Sequence, residues 1–232
     1  MRGLELLKEA RFPVTVRVTI NRHNVDDLPN IAHLLLEEIG LGGFSTNEAE
    51  QMGTARCYGE NIVLTHEERL RAMKTLTALN ERYGGRINAA AGPLAISRHF
   101  ADIETRVGRL EKAMPGRGTL SSCGGVFSKM AVLHDGTMVP CNMLPTLTMG
   151  TIGKHSFHQA WLHHPAINAV RYRRQIPLQA LSECRDCDFT GFCAGGCPAS
   201  VMAKTGRLNA RDPMVCYRIF REGKIDDVNV NL

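Results

Sequence analysis

The chain has no apolar run approaching the ~18 residues that would mark a membrane helix. Its first residues, Met1 to Lys8, read M-R-G-L-E-L-L-K and lack the apolar stretch of a signal peptide. It has no long Lys/Arg block; the net charge of +5 is spread along the sequence, which argues against nucleic acid as a partner. Eight cysteines in 232 residues are too few and too clustered for a secreted disulfide scaffold. These absences lead us to expect a cytoplasmic protein with neither a membrane nor a nucleic acid among its partners. What is present suits a soluble globular chain, 44% hydrophobic and 22% charged, long enough for one large or two small domains.

The cysteines carry the chemistry. Cys184 to Cys197 reads C-R-D-C-D-F-T-G-F-C-A-G-G-C, and Pro198 follows. Two thiols separated by two residues can address one metal centre, and C-x2-C is a common unit of zinc and iron–sulfur ligation. Gly195 and Gly196 let the backbone turn tightly between the last two thiols, where a Cβ is expected to strike a cluster sulfur. Cys123 and Cys141 precede this run, Cys216 follows it, and Cys57 stands apart. From Cys123 the order is C-x12-G-x4-C, a gap, C-x2-C-x5-C-x3-C, a gap, then C.

That order resembles the SPASM domain, the C-terminal extension of many radical S-adenosylmethionine (SAM) enzymes, over roughly residues 119 to 220. The resemblance implies two auxiliary 4Fe-4S clusters with interleaved ligands. Cys184, Cys187, Cys193 and Cys216 would hold the second; Cys123, Cys141 and Cys197 would hold the first and leave it one thiol short. Asp135-Gly136 between apolar runs signals a hairpin that returns Cys141 towards Cys123. A short helix after Ser156, with Phe157, Ala160 and Trp161 on one face, is also typical of such domains.

The first half alternates strands and helices. Val14, Val16, Val18 and Ile20 alternate as a strand, and Asp26, Asp27 and Pro29 open a helix with an apolar stripe through Ile31, Leu34, Leu35 and Ile39. Gly43–Thr46 is a short strand, Thr65-His-Glu-Glu68 a capping box for a helix to about Tyr83, and Arg86–Ala91 a third strand. Ile103, Val107, Leu110 and Met114 mark a further helix. Three strand–helix units imply a parallel sheet, and by themselves cannot close a barrel. The region resembles the second half of the radical SAM partial barrel. The expected fold is therefore α/β, a partial (β/α) barrel half over 1–115, followed by a small loop-rich α+β SPASM domain over 116–222 and a tail over 223–232. Thr19, Asn21 and Asn24, just beyond the first strand, sit where that family often places polar groups against SAM; turn and capping roles explain the asparagines equally well.

The family's catalytic cluster is held by C-x3-C-x2-C, and these eight cysteines contain no such trio. We therefore expect the chain to be the C-terminal part of a longer or complemented oxidoreductase, unable alone to cleave SAM and needing the missing N-terminal half to bind it. The resemblance implies a peptide maturase, in which a 5′-deoxyadenosyl radical abstracts hydrogen from a peptide or protein side chain and an electron donor supplies the clusters. Sulfatase-maturing relatives commonly carry Asp after the G-x4-C cysteine, where this chain has Asn142. The alternatives are a non-catalytic iron–sulfur subunit for electron transfer or partner binding, and a zinc-stabilised interaction module. Cys57 reads as a buried or loop thiol, the histidines between 134 and 164 as surface or capping groups, and Met130, Met138, Met143 and Met149 as core filling. The charged stretch 171–174 reads as a solvated face.

Overall fold

A computed structural model describes residues 2–222 of the chain, which divides into two compact units, Met1–Thr105 and Arg106–Leu232. The division falls ten residues ahead of the expected boundary at 115, and the expected tail 223–232 lies outside the described residues.

The first unit is built on a parallel three-stranded sheet. Helix α1 (Arg2–Glu9) ends before Pro13, and β1 (Val16–Ile20) follows. The next strand, β2 (Phe44–Glu48), pairs parallel with β1 from Val16↔Phe44 to Ile20↔Glu48. The third, β3 (Ile87–Ala89), pairs parallel with β2, so the order is β1-β2-β3. The helices α2 (Leu28–His33, continued by a wider π turn over Leu34–Glu38), α3 (Gly59–Ile62) and α4 (His66–Arg82) supply the crossovers that parallel strands require, and α5 (Pro93–Gly108) follows β3. Ile20, Leu35, Leu36, Phe44, Leu76 and Ile87 meet in one aliphatic core, because the period of two in β1 and the i, i+3, i+4 stripe of α4 turn their apolar sides inward. The capping box of α4 is formed: Thr65 Oγ1 accepts from the Glu68 amide at 3.2 Å, and Glu68 accepts from the Thr65 amide at 2.7 Å.

Two sequence expectations fail in this unit. Asp27 does not cap α2 with its side chain; its carboxylate accepts instead from Asn30 Nδ2 at 2.7 Å. The last helix stops at Gly108, with Leu110 at φ +61° and 87% exposed, so Leu110 and Met114 are not part of an apolar helical stripe. A leucine in the left-handed region cannot continue a right-handed helix.

The second unit is mostly loop. Among its described residues the regular parts are the hairpin β4 (Ala131–Val132) and β5 (Met138–Val139), the short α-helices α6 (Phe157–His163), α7 (Pro165–Tyr172), α8 (Pro198–Thr205) and α9 (Tyr217–Glu222), and brief 3-10 turns. The hairpin turns at Gly136, φ +84°, with Asp135 accepting from the Thr137 amide at 2.9 Å. Backbone bonds lace the remainder: Leu120 N–H to Ile176 O at 2.9 Å, Gly118 N–H to Cys193 O at 3.0 Å, and Asp212 N–H to Gly195 O at 2.8 Å. Segment 118–121 thus runs between the chain before Cys184 and the chain after Cys193.

The stretch 171–174 is a solvated face only in part: Tyr172 and Arg174 are exposed, whereas Arg171 and Arg173 turn inward. Arg171 donates to Val126 O at 2.9 Å and Trp161 O at 2.7 Å and lies over the Trp161 ring at 4.6 Å, while Arg173 is fully buried. Loop carbonyls without a sheet partner need donors, and the long guanidinium stems reach them from α7.

Candidate metal centres

The loop-rich unit sorts its thiols onto two cavities. Cys123, Cys141 and Cys197 line a cavity of about 260 Å³. Cys184, Cys187, Cys193 and Cys216 line a second, smaller one. Cys193 and Cys197, four residues apart, therefore face different cavities. The turn between them uses Gly195 at φ +69° and Gly196 at φ +85°. A Cβ on Gly195 would run into Leu120 Cδ2, and one on Gly196 would come within 2.5 Å of Asp212 Cβ. These glycines make room for the protein's own packing.

Local elements set each thiol. Cys123 precedes Gly124 and Gly125 with φ +61°, a region a non-glycine residue rarely occupies, and its amide donates to Ser121 Oγ at 3.2 Å. Cys141 follows β5, and its Sγ accepts from the Met143 amide at 3.5 Å. Cys197 is the residue before Pro198, the first of α8. On the other cavity, Cys193 Sγ accepts from the Gly195 amide at 3.3 Å. Cys216 is held by the turn from Pro213, which Asp212 caps by accepting from the Met214 amide at 2.9 Å. Asp212 is fixed in turn, accepting from Ser200 Oγ at 2.6 Å beside Lys204 Nζ at 3.3 Å, all three well buried. This network ties the helix after Cys197 to the turn before Cys216.

Burial sets the electrostatics. It pushes the Cys184 thiol up to about 12, against the pull of Arg211, with Cys193, Glu183 and Cys216 adding to the rise. Burial also raises Cys193, although the Gly195 amide opposes it. Such thiols stay protonated until a cation reverses the local balance. Arg211, on the four-thiol cavity, has Nε and Nη1 buried without a hydrogen-bond partner. Fully buried Arg173 donates from Nε to Ser121 O at 2.7 Å, leaves Nη1 and Nη2 unpartnered, and interacts electrostatically with Cys197. Both were missed in the sequence, where an arginine among polar neighbours looks like surface.

The donor set suits iron–sulfur clusters. Soft thiols converge on cavities whose neighbouring donors, Arg211 and the Gly195 amide, favour negative charge at sulfur. Among the described residues, no three His, Cys, Asp or Glu side chains group as they would around a single ion. The histidines act locally: Nδ1 of His155 accepts from the Thr151 amide at 3.0 Å, and Nδ1 of His164 from the Ala166 amide at 3.2 Å. Met138 and Met149 are core, Met143 is 40% exposed, and Cys57 is exposed in the first unit.

Beyond β1, the polar groups act on one another. Asn24 Oδ1 accepts from the Asn21 amide at 2.9 Å, and the Nδ2 atoms of Asn21 and Asn24 both donate to Thr19 O, at 3.1 and 3.0 Å. The asparagines thus serve as turn residues, with the Thr19 side chain exposed.

Residues 123–188 match SPASM, an iron–sulfur cluster-binding domain. The chain is 24% identical over 227 residues to the PqqA peptide cyclase of Ruegeria pomeroyi, covering 91% of this chain and 51% of that protein. It is 25% identical over 227 residues to the AdoMet-dependent heme synthase of Methanosarcina barkeri, covering 96% of this chain and 60% of that protein. The chain thus spans about half the length of the curated relatives it matches. Among solved structures, native anSMEcpe with bound AdoMet matches the whole chain and 60% of its own, with a TM-score of 0.57 at 15% identity. The same protein with AdoMet and the Kp18Cys peptide gives a TM-score of 0.57 at 15% identity and 61% coverage. No helix among the described residues is long and apolar enough to cross a membrane.

Proposed function

With a SPASM domain as the premise, we propose that this chain is the C-terminal portion of a radical SAM/SPASM enzyme that modifies a peptide or protein side chain. The sorting of seven thiols onto two cavities carries the reading. Cys184, Cys187, Cys193 and Cys216 would hold one four-iron cluster; Cys123, Cys141 and Cys197 would hold another with one position open. A cluster bound in either place would store and pass single electrons. The protein's own part is to position the sulfurs and donate amides to them, as Gly195 does to Cys193 and Met143 to Cys141, with Cys184 buried and Cys123 and Cys197 exposed. A peptide substrate is favoured by the relatives named PqqA peptide cyclase and by the solved neighbour that holds a peptide. The first unit would contribute half of the partial barrel, and SAM cleavage would need a C-x3-C-x2-C that this sequence does not contain.

Anaerobic reconstitution tests this. The chain should take up about eight iron and eight sulfide, as two four-iron clusters require, yet form no 5′-deoxyadenosine from SAM under strong reductant. Stoichiometric zinc without sulfide would defeat the assignment. Cys216→Ala should disturb the four-thiol cluster alone, and Cys197→Ala the three-thiol cluster alone. Loss of the same paramagnetic component in both variants would refute the interleaving.

A further inference from the structure

Buried arginines without a carboxylate are costly, because a guanidinium leaves water with five donors to satisfy. Among the described residues of the cysteine-bearing unit, Arg173 and the half-buried Arg211 have buried guanidinium nitrogens without a partner. Arg173 is fully buried with Nη1 and Nη2 unpartnered, and Arg211 has Nε and Nη1 in the same state. They are divided as the thiols are: Arg173 donates to the carbonyl of Ser121, whose hydroxyl accepts from the Cys123 amide, behind a three-thiol cavity that Lys129 also lines, and Arg211 lines the cavity of Cys184, Cys187, Cys193 and Cys216. The other charges on that wall are committed. Asp212 accepts from Ser200 and Lys204, Glu183 pairs with Arg207 at 3.6 Å, and Arg218 pairs with Glu222 at 3.5 Å.

Four thiolates outweigh the positive charge of a four-iron core, so such a cluster is an anion, and a buried anion needs a cation or donors pointed at its sulfur. We infer that Arg173 and Arg211 are the resident counter-cations of the two clusters, one arginine to each, offering their free N–H groups to sulfur and raising the cluster's reduction potential. A cation beside the cluster stabilises the reduced, more negative form more than the oxidised one, so removing it moves the potential down. Arginine suits the place better than lysine, since it keeps its charge when buried and presents several donors in a fixed fork. Complete burial excludes Arg173 from binding a substrate carboxylate in solution, which leaves an internal anion as its partner.

The inference rests on the two-cluster reading, and the experiment separates the two. Wild-type protein, Arg173→Met, Arg211→Met and the two Lys variants are reconstituted, and iron, sulfide, paramagnetic spectra and midpoint potentials are measured. Arg211→Met should lower the potential of the cluster lost in Cys216→Ala, by a tenfold or greater change in the one-electron equilibrium, about 59 mV or more. Arg173→Met should do the same to the cluster lost in Cys197→Ala, and the Lys variants should recover much of each shift. If a Met variant fails to hold iron while its Lys counterpart holds it, the charge requirement stands. Unchanged potentials in iron-replete Met variants, both arginines acting on one cluster, or Lys failing wherever Met fails would overturn it. Zinc without sulfide in the wild type would instead remove the reading beneath it.

Discussion

The two units solve the problem of stability by different means. Met1–Thr105 has a parallel sheet, long helices and one aliphatic core, so its backbone bonds are satisfied within regular elements. The other unit also buries apolar side chains, among them Met138, Ile167, Val170, Phe192 and Val201, but its loops are joined by single backbone bonds and by arginine donors such as Arg173. A domain with so little regular secondary structure is of the kind whose stability should respond to bound metal. The contrast teaches where to look for the chemistry: the unit with the least regular secondary structure holds seven of the eight cysteines.

The largest expected effect comes from stripping iron and sulfide with chelator under oxidising conditions. Amide exchange should then accelerate about 100-fold or more around 118–121, 176–178 and 193–195, while the core amides of β1, β2 and α4 keep their protection. Equal loss in both units would erase the distinction between them.

Breaking one buried ion pair in each unit probes rigidity at the next level. Asp212→Asn removes the carboxylate that pairs with Lys204, and Glu48→Gln removes the one that pairs with Arg69, which donates to Glu48 from Nε at 3.0 Å. Each should cost about 3–5 kcal/mol in denaturant unfolding of its own unit. Only the Asp212 change should also lower iron content, since that carboxylate holds the turn before Cys216. Iron loss from Glu48→Gln would contradict the separation.

Glycine substitutions give the finest comparison. Gly84, at φ +60° with open space around it, should cost about 1–2 kcal/mol as alanine, from backbone conformation alone. Gly195→Ala adds a collision with Leu120 to that conformational cost, a further ~1–3 kcal/mol of overpacking. A Gly195→Ala protein as stable as Gly84→Ala would show that Leu120 moves aside freely.

The sequence by itself determined the three strands of the first unit and the start of α4. V-x-V-x-I alternation and the Thr65–Glu68 box are local signals, read by a residue's immediate neighbours along the chain. The spacing of the seven thiols was legible in the same way, because a cluster domain repeats its spacing. The end of α5 was not legible: Val107, Leu110 and Met114 keep a helical period, yet Leu110 takes φ +61°. Nor could the roles of Gly195 and Arg173 be read from their neighbours. Leu120 is 75 residues before Gly195, and Ser121 is 52 residues from Arg173, as the chain is numbered. The family resemblance already implied how the thiols divide, and tertiary structure alone decided which arginines have buried nitrogens near them. Contacts between loops distant in sequence follow no period, and burial turns a surface-looking charge into the strongest field at the site.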